Sequence, residues 1–357
     1  MPTRIALVAG ATGATAKRLV ELLENDPDWR VVGLCRHPPP NREKVAYVAV
    51  DLMDPDETRA KLARHADVTH VFYCSRAQHG ESGIESVADN VAMLRHVVEA
   101  ATAAATNLEH IHLIEGGKWY GMHIGPFPTP AREDDPRHLP PDFYYDQQDY
   151  LVAAQARQPA GKSARWTWSA SRPNFITDFA PERPRNLVAV LGAWASICRE
   201  AGMRLEFPGK TGAFTALSEI TDATHLARAM RHIATTPQCA NQAFNVTNGE
   251  PIRWQRFWPR LAKHYGLEVG SVRPLQLAQW MADKEPMWQR ITTRHGLLPT
   301  RLVDVAQWNF GDFALNQDHD VFYSLLLLRG TGFLETVDTE ATIIRQLQQY
   351  REARILP

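Results

Sequence analysis

The sequence predicts an α/β fold: a doubly wound parallel sheet followed by a smaller, mostly helical C-terminal lobe. Three observations predict it. Short apolar runs alternate with helical patterns over the first third of the chain, which is the signature of βαβ units and a parallel sheet. A glycine turn joins the first apolar run directly to the first helical pattern. Beyond residue 173 the alternation loosens, and the chain to about residue 330 becomes rich in Trp, Pro and Met.

Taken in order, residues 4–9 (RIALVA) read as a buried strand and 15–24 as a helix. Residues 29–34 (WRVVGL) are the second strand, and a proline-rich turn at 38–40 precedes a third over 45–50. A short helix over 55–65 leads to a fourth strand over 68–74, a long helix over 84–105 and a fifth strand over 110–114. Right-handed crossovers between such strands give a doubly wound sheet. Residues 121–142 carry many Pro, Gly and acidic side chains and read as an irregular loop over the sheet edge. A helix over 146–156 and a strand over 166–171 resume the pattern, helices over 186–201 and 223–234 flank a short strand over 204–207, and an amphipathic helix over 338–351 closes the chain. The expected division places residues 1–180 in the sheet domain, with 215–250 and 331–357 returning to it. Residues 181–214 and 251–330 then form the lobe.

Composition narrows the function. With 357 residues, 44% hydrophobic and 22% charged, the chain is not a disordered or fibrous polymer. The balance of 39 Lys+Arg against 40 Asp+Glu leaves −1, so no global field draws it to nucleic acid or to an anionic membrane. The four cysteines (Cys35, Cys74, Cys198, Cys239) are scattered, which points to a reducing compartment rather than a disulfide framework or zinc site. No stretch approaches the roughly 18 apolar residues of a membrane span, and the first apolar run enters a glycine motif rather than a signal-peptide cleavage site. A cytoplasmic protein is expected. No exposed apolar helix demands a homodimer, which stays open. No His-Glu-x-x-His or clustered Cys/His spacing exists, so no metal is expected. His110 and His112 lie in a strand covered on both sides and read as packed, hydrogen-bonded histidines.

The glycine turn is Gly10-Ala-Thr12-Gly13-Ala14-Thr-Ala16. Between a strand and a helix, such glycines permit a tight turn, and backbone N–H groups of Gly10, Thr12, Gly13 and Ala14 can approach a pyrophosphate held at the helix N-terminus. The end of the second strand selects the dinucleotide. An acid there would hold a ribose 2′-hydroxyl, but this chain has Leu34-Cys35-Arg36-His37. The Arg36 guanidinium suits a 2′-phosphate, so NADP(H) is the expected cofactor. Asp51 and Leu52, after the third strand, are placed to meet an adenine edge; for Asp51 a helix N-cap is nearly as good a reading.

Dehydrogenases of this architecture usually carry Tyr-x-x-x-Lys on one helix face, and none is present: Tyr144 has Gln148 at that position, and Tyr145 has Asp149. The alternative lysine is Lys118, in Glu115-Gly-Gly-Lys118-Trp-Tyr120 just past the fifth strand, at the carboxyl edge where open α/β sheets bind ligands. Two adjacent tyrosines, Tyr144 and Tyr145, start the following helix.

These segments make the chain recognisable. Asp142-Phe-Tyr144-Tyr145-Asp-Gln-Gln148-Asp149, Lys118-Trp-Tyr120, Gly125-Pro-Phe127, Asp67-Val-Thr-His-Val-Phe-Tyr73, Ser171-Arg-Pro173-Asn174, Ala243-Phe-Asn-Val-Thr-Asn-Gly249, Lys284-Glu-Pro-Met-Trp288 and Phe310-Gly-Asp312 follow one another in the order of a known family. The sequence resembles the progesterone 5β-reductase/iridoid synthase-like (PRISE) enzymes, a branch of the extended short-chain dehydrogenases/reductases. The resemblance implies a Rossmann sheet domain, a substrate lobe, and NADPH-dependent reduction of the C=C bond of activated enones. It makes Tyr144 the catalytic tyrosine and Lys118 its partner, and adds Tyr73, Pro173, Asn174 and Ile176 to the cofactor residues. Asp142 and Gln148 stand where the family has Asn and Glu. Carbonyl or sugar-nucleotide chemistry on the same scaffold, or a cofactor sensor without catalysis, are the competing readings; the missing Tyr-x-x-x-Lys counts against the former and the retained Tyr144 and Lys118 against the latter. The expected substrate is small and apolar, with Phe127 and Phe313 lining its pocket. The Lys118 ammonium is expected to pull the Tyr144 pKa below its usual value of about 10.

Overall fold

A computed structural model describes residues 4–77, 85–158 and 165–357. Seven parallel strands form the main sheet: β1 (Arg4–Ala9), β2 (Trp29–Cys35), β3 (Val45–Ala49), β4 (His70–Tyr73), β5 (His110–Ile114), β6 (Thr167–Pro173) and the strand Gln242–Val246. Their spatial order runs from Gln242–Val246 through β6, β5, β4, β1 and β2 to β3. The chain therefore winds outward from β1 to β3, then returns past β1 to β4. That reversal opens a crevice at the carboxyl ends of β1 and β4, the place where such sheets take ligands.

Helices α1 (Ala14–Glu24), α2 (Pro55–Leu62), α3 (Val87–Ala104) and α4 (Phe143–Ala156) connect the strands. One core, with Leu7, Leu94, Val97, Ile111 and Leu151, fills one face of the sheet; a second, with Ala6, Val8, Leu19, Phe72 and Met230, fills the other. Both faces being covered explains why the strands read as nearly continuous apolar runs. The strand Gln242–Val246 completes the sheet beside β6. Its sequence alternates too little to be read as a strand in isolation, and β6 supplies the pairing that fixes it.

The lobe packs around α5 (Leu187–Glu200), a helix buried on nearly every side. Helices Trp254–Tyr265, Glu285–His295 and Trp308–Ala314 surround it. The tryptophans do two jobs there. Trp194, Trp258 and Trp288 are fully buried, and each indole N–H donates to a backbone carbonyl, of Glu206 (3.0 Å), Leu205 (2.9 Å) and Thr300 (3.1 Å), as buried indoles require. The terminal segment divides between the two cores. Phe333 packs on the sheet side, whereas Ile343 and Leu347 of the last helix, Thr339–Glu352, join the lobe against α5. A boundary at 331 thus separates residues by sequence that the packing splits further on.

The histidines of β5 form a buried chain with the hydroxyls of β6: Thr167 Oγ1 to His110 Nδ1 (2.8 Å), His110 Nε2 to Ser169 Oγ (2.7 Å), Ser169 Oγ to His112 Nδ1 (2.7 Å), and His112 Nε2 to Ser171 Oγ (3.0 Å). Burial drives the His112 pKa down to about 3, so the imidazole stays neutral.

Candidate active site

The glycine turn sits at the crevice. Gly10 has φ +75°, the left-handed region that glycine tolerates. A Cβ there would also lie 2.9 Å from Ser75 Oγ and 3.1 Å from the Cys74 carbonyl, at the end of β4. The Gly13 N–H donates to the Gly10 carbonyl at 2.7 Å, and a Cβ at Gly13 would lie 2.9 Å from that oxygen. Gly13 is the N-cap of α1 and offers no side-chain acceptor to the first N–H groups, which leaves them for an anion. Arg183, from the segment between β6 and α5, reaches this turn. Its Nη2 donates to the Thr12 carbonyl at 2.5 Å, while its buried Nε has no partner. These features fit a dinucleotide pyrophosphate. Arg36 is exposed at the end of β2 and makes no hydrogen bond or ion pair with a described residue.

Other residues on the expected cofactor side are less available. Asp51 is exposed and accepts from the Met53 N–H at 3.0 Å, while the N-cap of α2 is Asp54. The N-cap reading of Asp51 is therefore replaced by a local turn. The Leu52 side chain is buried and its carbonyl bonds His96 Nδ1 at 2.8 Å. The Tyr73 ring is 1% exposed, in the core beneath the sheet, and its backbone ends β4 at the carboxyl edge. Pro173 ends β6 inside the fold. The Asn174 amide is spent on the Glu219 carbonyl (2.9 Å), and its N–H on Thr221 Oγ1 (3.1 Å). Ile176 is partly exposed.

The catalytic side is assembled by α4. Asp142 caps the helix and accepts from the Tyr144 N–H at 3.0 Å. The expected start at 146 is thus three residues late, and both tyrosines lie in the first turn. They point to different tasks. The Tyr145 hydroxyl donates to the Trp119 carbonyl at 2.6 Å, and its ring stands edge-on to Trp119 with centroids 4.7 Å apart. Tyr145 thereby ties α4 to the turn Gly117–Tyr120 after β5. Tyr144 instead aims its hydroxyl at the Gly116 backbone: a Cβ at Gly116 would lie 3.1 Å from that oxygen. That approach explains Gly116; at Gly117 a Cβ would instead run into the Tyr323 hydroxyl and the Met122 sulfur.

Part of the Tyr144 side chain is reachable by solvent, yet the surrounding protein pushes its pKa well above the usual value; Arg76 opposes that rise, and Glu85 and Asp142 add to it. Both observations describe a group at the bottom of a cleft. They overturn the expected lowering by Lys118. The Lys118 Nζ is held by Glu85 Oε2 at 2.5 Å, so its charge is spent on a carboxylate rather than on the phenol. The Glu85 carboxylate also takes Arg76 Nη1 at 3.0 Å. His138 Nε2 bonds the Lys118 carbonyl at 2.6 Å and lies 3.5 Å from Asp142 Oδ2, locking the lysine turn to the cap of α4.

Below this cleft lies a closed cluster. Arg172 on β6 donates from Nε to Glu115 Oε2 (2.7 Å), from Nη1 to the Tyr120 hydroxyl (3.2 Å) and the Glu133 carbonyl (3.0 Å), and from Nη2 to Gln148 Oε1 (3.3 Å). Its guanidinium also lies 3.7 Å from the Trp119 ring centroid. Phe127 packs into the same aromatic cluster as Tyr144, with its ring 6.2 Å from those of Tyr120 and Tyr323. Phe313 approaches from the lobe, 5.8 Å from Phe175 and 6.5 Å from Phe310. The structure thus sets Tyr144 in one cluster with Phe127 and links it to Lys118 through Glu85, while Phe313 packs with Phe175 and Phe310. Sequence reasoning missed Arg76, Glu85, Arg183 and Arg185. The two arginines flanking Pro184 in Pro181-Glu-Arg183-Pro-Arg185, just after a strand end, were the signal available.

Comparison with known proteins agrees with this architecture. A family model described as the PRISE-like Rossmann-fold domain matches residues 48–357. An (S)-8-oxocitronellyl enol synthase from Nepeta racemosa is 35% identical, over 99% of this chain and 93% of the relative. A 3-oxo-Delta(4,5)-steroid 5-beta-reductase from Arabidopsis thaliana is 32% identical, over 99% of this chain and 93% of its own length. Among solved structures, a putative epimerase from Burkholderia cenocepacia superposes with a TM-score of 0.69 at 16% identity, covering 99% of both chains, and shows the shared fold. The chain belongs to the PRISE-like Rossmann-fold family.

Proposed function

We propose that this protein is an NADP(H)-dependent oxidoreductase that reduces the activated C=C bond of an enone or enal. The observation that carries the reading is the placement of Tyr144: a half-buried phenol set at the carboxyl edge of the sheet beside Gly116, its pKa pushed up by the surrounding protein. A phenol that stays protonated is a hydrogen-bond donor. Reduction of a conjugated C=C bond needs such a donor, because negative charge builds on the carbonyl oxygen and no proton has to reach it. Carbonyl or alcohol chemistry instead needs a tyrosine that gives up its proton readily, the task a lysine four residues later performs, and Gln148 occupies that position.

The bound nicotinamide supplies hydride for the β-carbon. This chain's residues do the rest. The glycine turn, the N-terminus of α1 and Arg183 receive the pyrophosphate, and Arg36 receives the 2′-phosphate that distinguishes NADP from NAD. Tyr144 donates to the developing enolate oxygen, an oxyanion-hole role worth about 10²–10³ in rate. Lys118, its charge paired with Glu85, fixes the turn that His138 ties to the cap of α4. The α-carbon takes its proton from solvent. A cytoplasmic location agrees with the four unpaired cysteines.

The test is NADPH oxidation with progesterone, a monocyclic enone, a simple enal and a saturated ketone. Turnover of enones without the ketone is the expected result. Turnover of the ketone alone would assign carbonyl reduction, and cofactor binding with no turnover would assign a sensor.

A further inference from the structure

The wall facing Tyr144 carries more positive charge than an apolar substrate needs. Arg185, two residues before α5, lies 4.6 Å from the Phe310 ring centroid. It makes no hydrogen bond or ion pair with any described residue, and its side chain is exposed. Stacking holds the plane of the guanidinium and leaves its N–H edge free, the arrangement in which arginine receives a planar anion. Arg185 also sits within electrostatic range of Tyr144, Arg76 and Glu85, and burial together with Arg76 lowers its pKa.

The charges around it do not balance. Arg76 and Lys118 share one carboxylate, Glu85. The other acids near Tyr144 are committed: Glu115 to Arg172 at 2.7 Å, and Asp142 to the first turn of α4 and to His138. Among the described residues, three cations therefore face one carboxylate at the mouth of the cleft. Two like charges held together without an anion between them are destabilising; an arriving anion removes the repulsion.

The cofactor has its own candidate anion sites in the glycine turn, Arg183 and Arg36. We propose that the surplus charge beside Tyr144 serves the substrate: the enone reduced here carries a carboxylate, received by Arg185 with Arg76. This rests on the reading of the site as an enone reductase and adds the chemical class of what it reduces. Phe310, Phe313 and Phe175 pack against the hydrocarbon between the two ends, which keeps the expected apolar lining and adds a charged end to the small, largely apolar substrate expected.

The experiment uses the purified protein with NADPH and two probes, a linear enone ending in a carboxylate and the methyl ester of the same enone. Their reacting groups are alike, so the acid-to-ester ratio of kcat/KM reports recognition of the charge. In Arg185→Met this ratio falls about tenfold or more, the worth of a charge-assisted hydrogen bond, and Arg185→Lys recovers part of it. Dissociation of NADPH, followed by fluorescence titration, stays within twofold. In the unmodified protein, KM for the acid rises with ionic strength while KM for the ester does not; this arm and Arg76→Met carry the test if Arg185→Met does not fold. An unchanged ratio overturns the proposal while leaving the reductase intact. Weaker NADPH binding with an unchanged ratio would hand Arg185 to a cofactor phosphate and also overturn it. If the unmodified protein reduces neither probe nor progesterone, the reductase reading falls and this inference falls with it.

Discussion

Arg172 and Arg185 sit on either side of Tyr144 and behave in opposite ways. Arg172 is 2% exposed and has every direction filled: a carboxylate, a hydroxyl, a backbone carbonyl, an amide oxygen and an indole face. Arg185 is accessible and touches one aromatic ring. A saturated guanidinium is a fixed part of the scaffold, because any movement would break several bonds at once. An unsaturated one at a cleft mouth is free to answer a ligand. The same residue type thus builds the floor of the site and, in our reading, its recognition wall. What separates the two is how many neighbours the fold supplies, not local sequence.

The comparison is broken most severely by removing Arg172. Arg172→Met leaves the Glu115 charge buried with its partner gone, and loss of one member of a buried pair costs about 3–5 kcal/mol. The expected outcome is a large drop in the urea midpoint, read by circular dichroism. A midpoint within experimental error of the parent would deny Arg172 its scaffold role. Next in size is Tyr144→Phe, which removes the donor above this floor and leaves the floor intact. Turnover of a good enone falls about 10²–10³-fold with the unfolding midpoint little changed. Undiminished turnover would take the hydroxyl out of the chemistry.

Arg36 extends the contrast to the proposed cofactor end, as an exposed guanidinium with no ion pair among the described residues. In Arg36→Met the preference for NADPH over NADH shrinks by about ten- to a hundredfold, the range for a charge-assisted contact, and KM for NADH hardly moves. A parent enzyme that prefers NADH would refute the assignment at once. The smallest effect sharpens the contrast from the acid side. Glu219 is 1% exposed and touches no arginine or lysine; it accepts from the Tyr323 N–H (2.9 Å) and Thr247 Oγ1 (3.1 Å). Burial raises its pKa to about 8. The folded protein then holds a proton that the unfolded chain, titrating near 4.3, has released. Stability from this group is complete below that lower value and is lost as pH rises through about 8. Glu219→Gln should flatten the fall in melting temperature between pH 5 and 9 by a few degrees; parallel melting curves for the two proteins would count against it.

Local features were legible in the chain. Strands β1 to β5 and their helices were readable from apolar runs, and the glycine turn from spacing, because each is decided by residues adjacent in sequence. The pairing of Lys118 with Tyr144 came from resemblance and not from any fixed interval. The limits of α4 were misjudged because its cap, Asp142, sits in a segment whose proline and acidic content reads as loop. The strand Gln242–Val246 was missed because its partner β6 lies far away in the chain.

The sequence by itself determined the fold class, the nucleotide turn and which tyrosine and lysine to examine. These follow from periodicity, from glycine stereochemistry and from residue order. Only the tertiary structure decided the electrical character of the site. Arg76, Glu85, Lys118, Tyr144 and Arg185 come from separate segments. Charges interact through space, and burial sets the strength of that interaction. No single stretch of the chain could have shown that Lys118 is held by Glu85, that the surrounding protein raises the Tyr144 pKa, or that Arg185 makes no ion pair among the described residues.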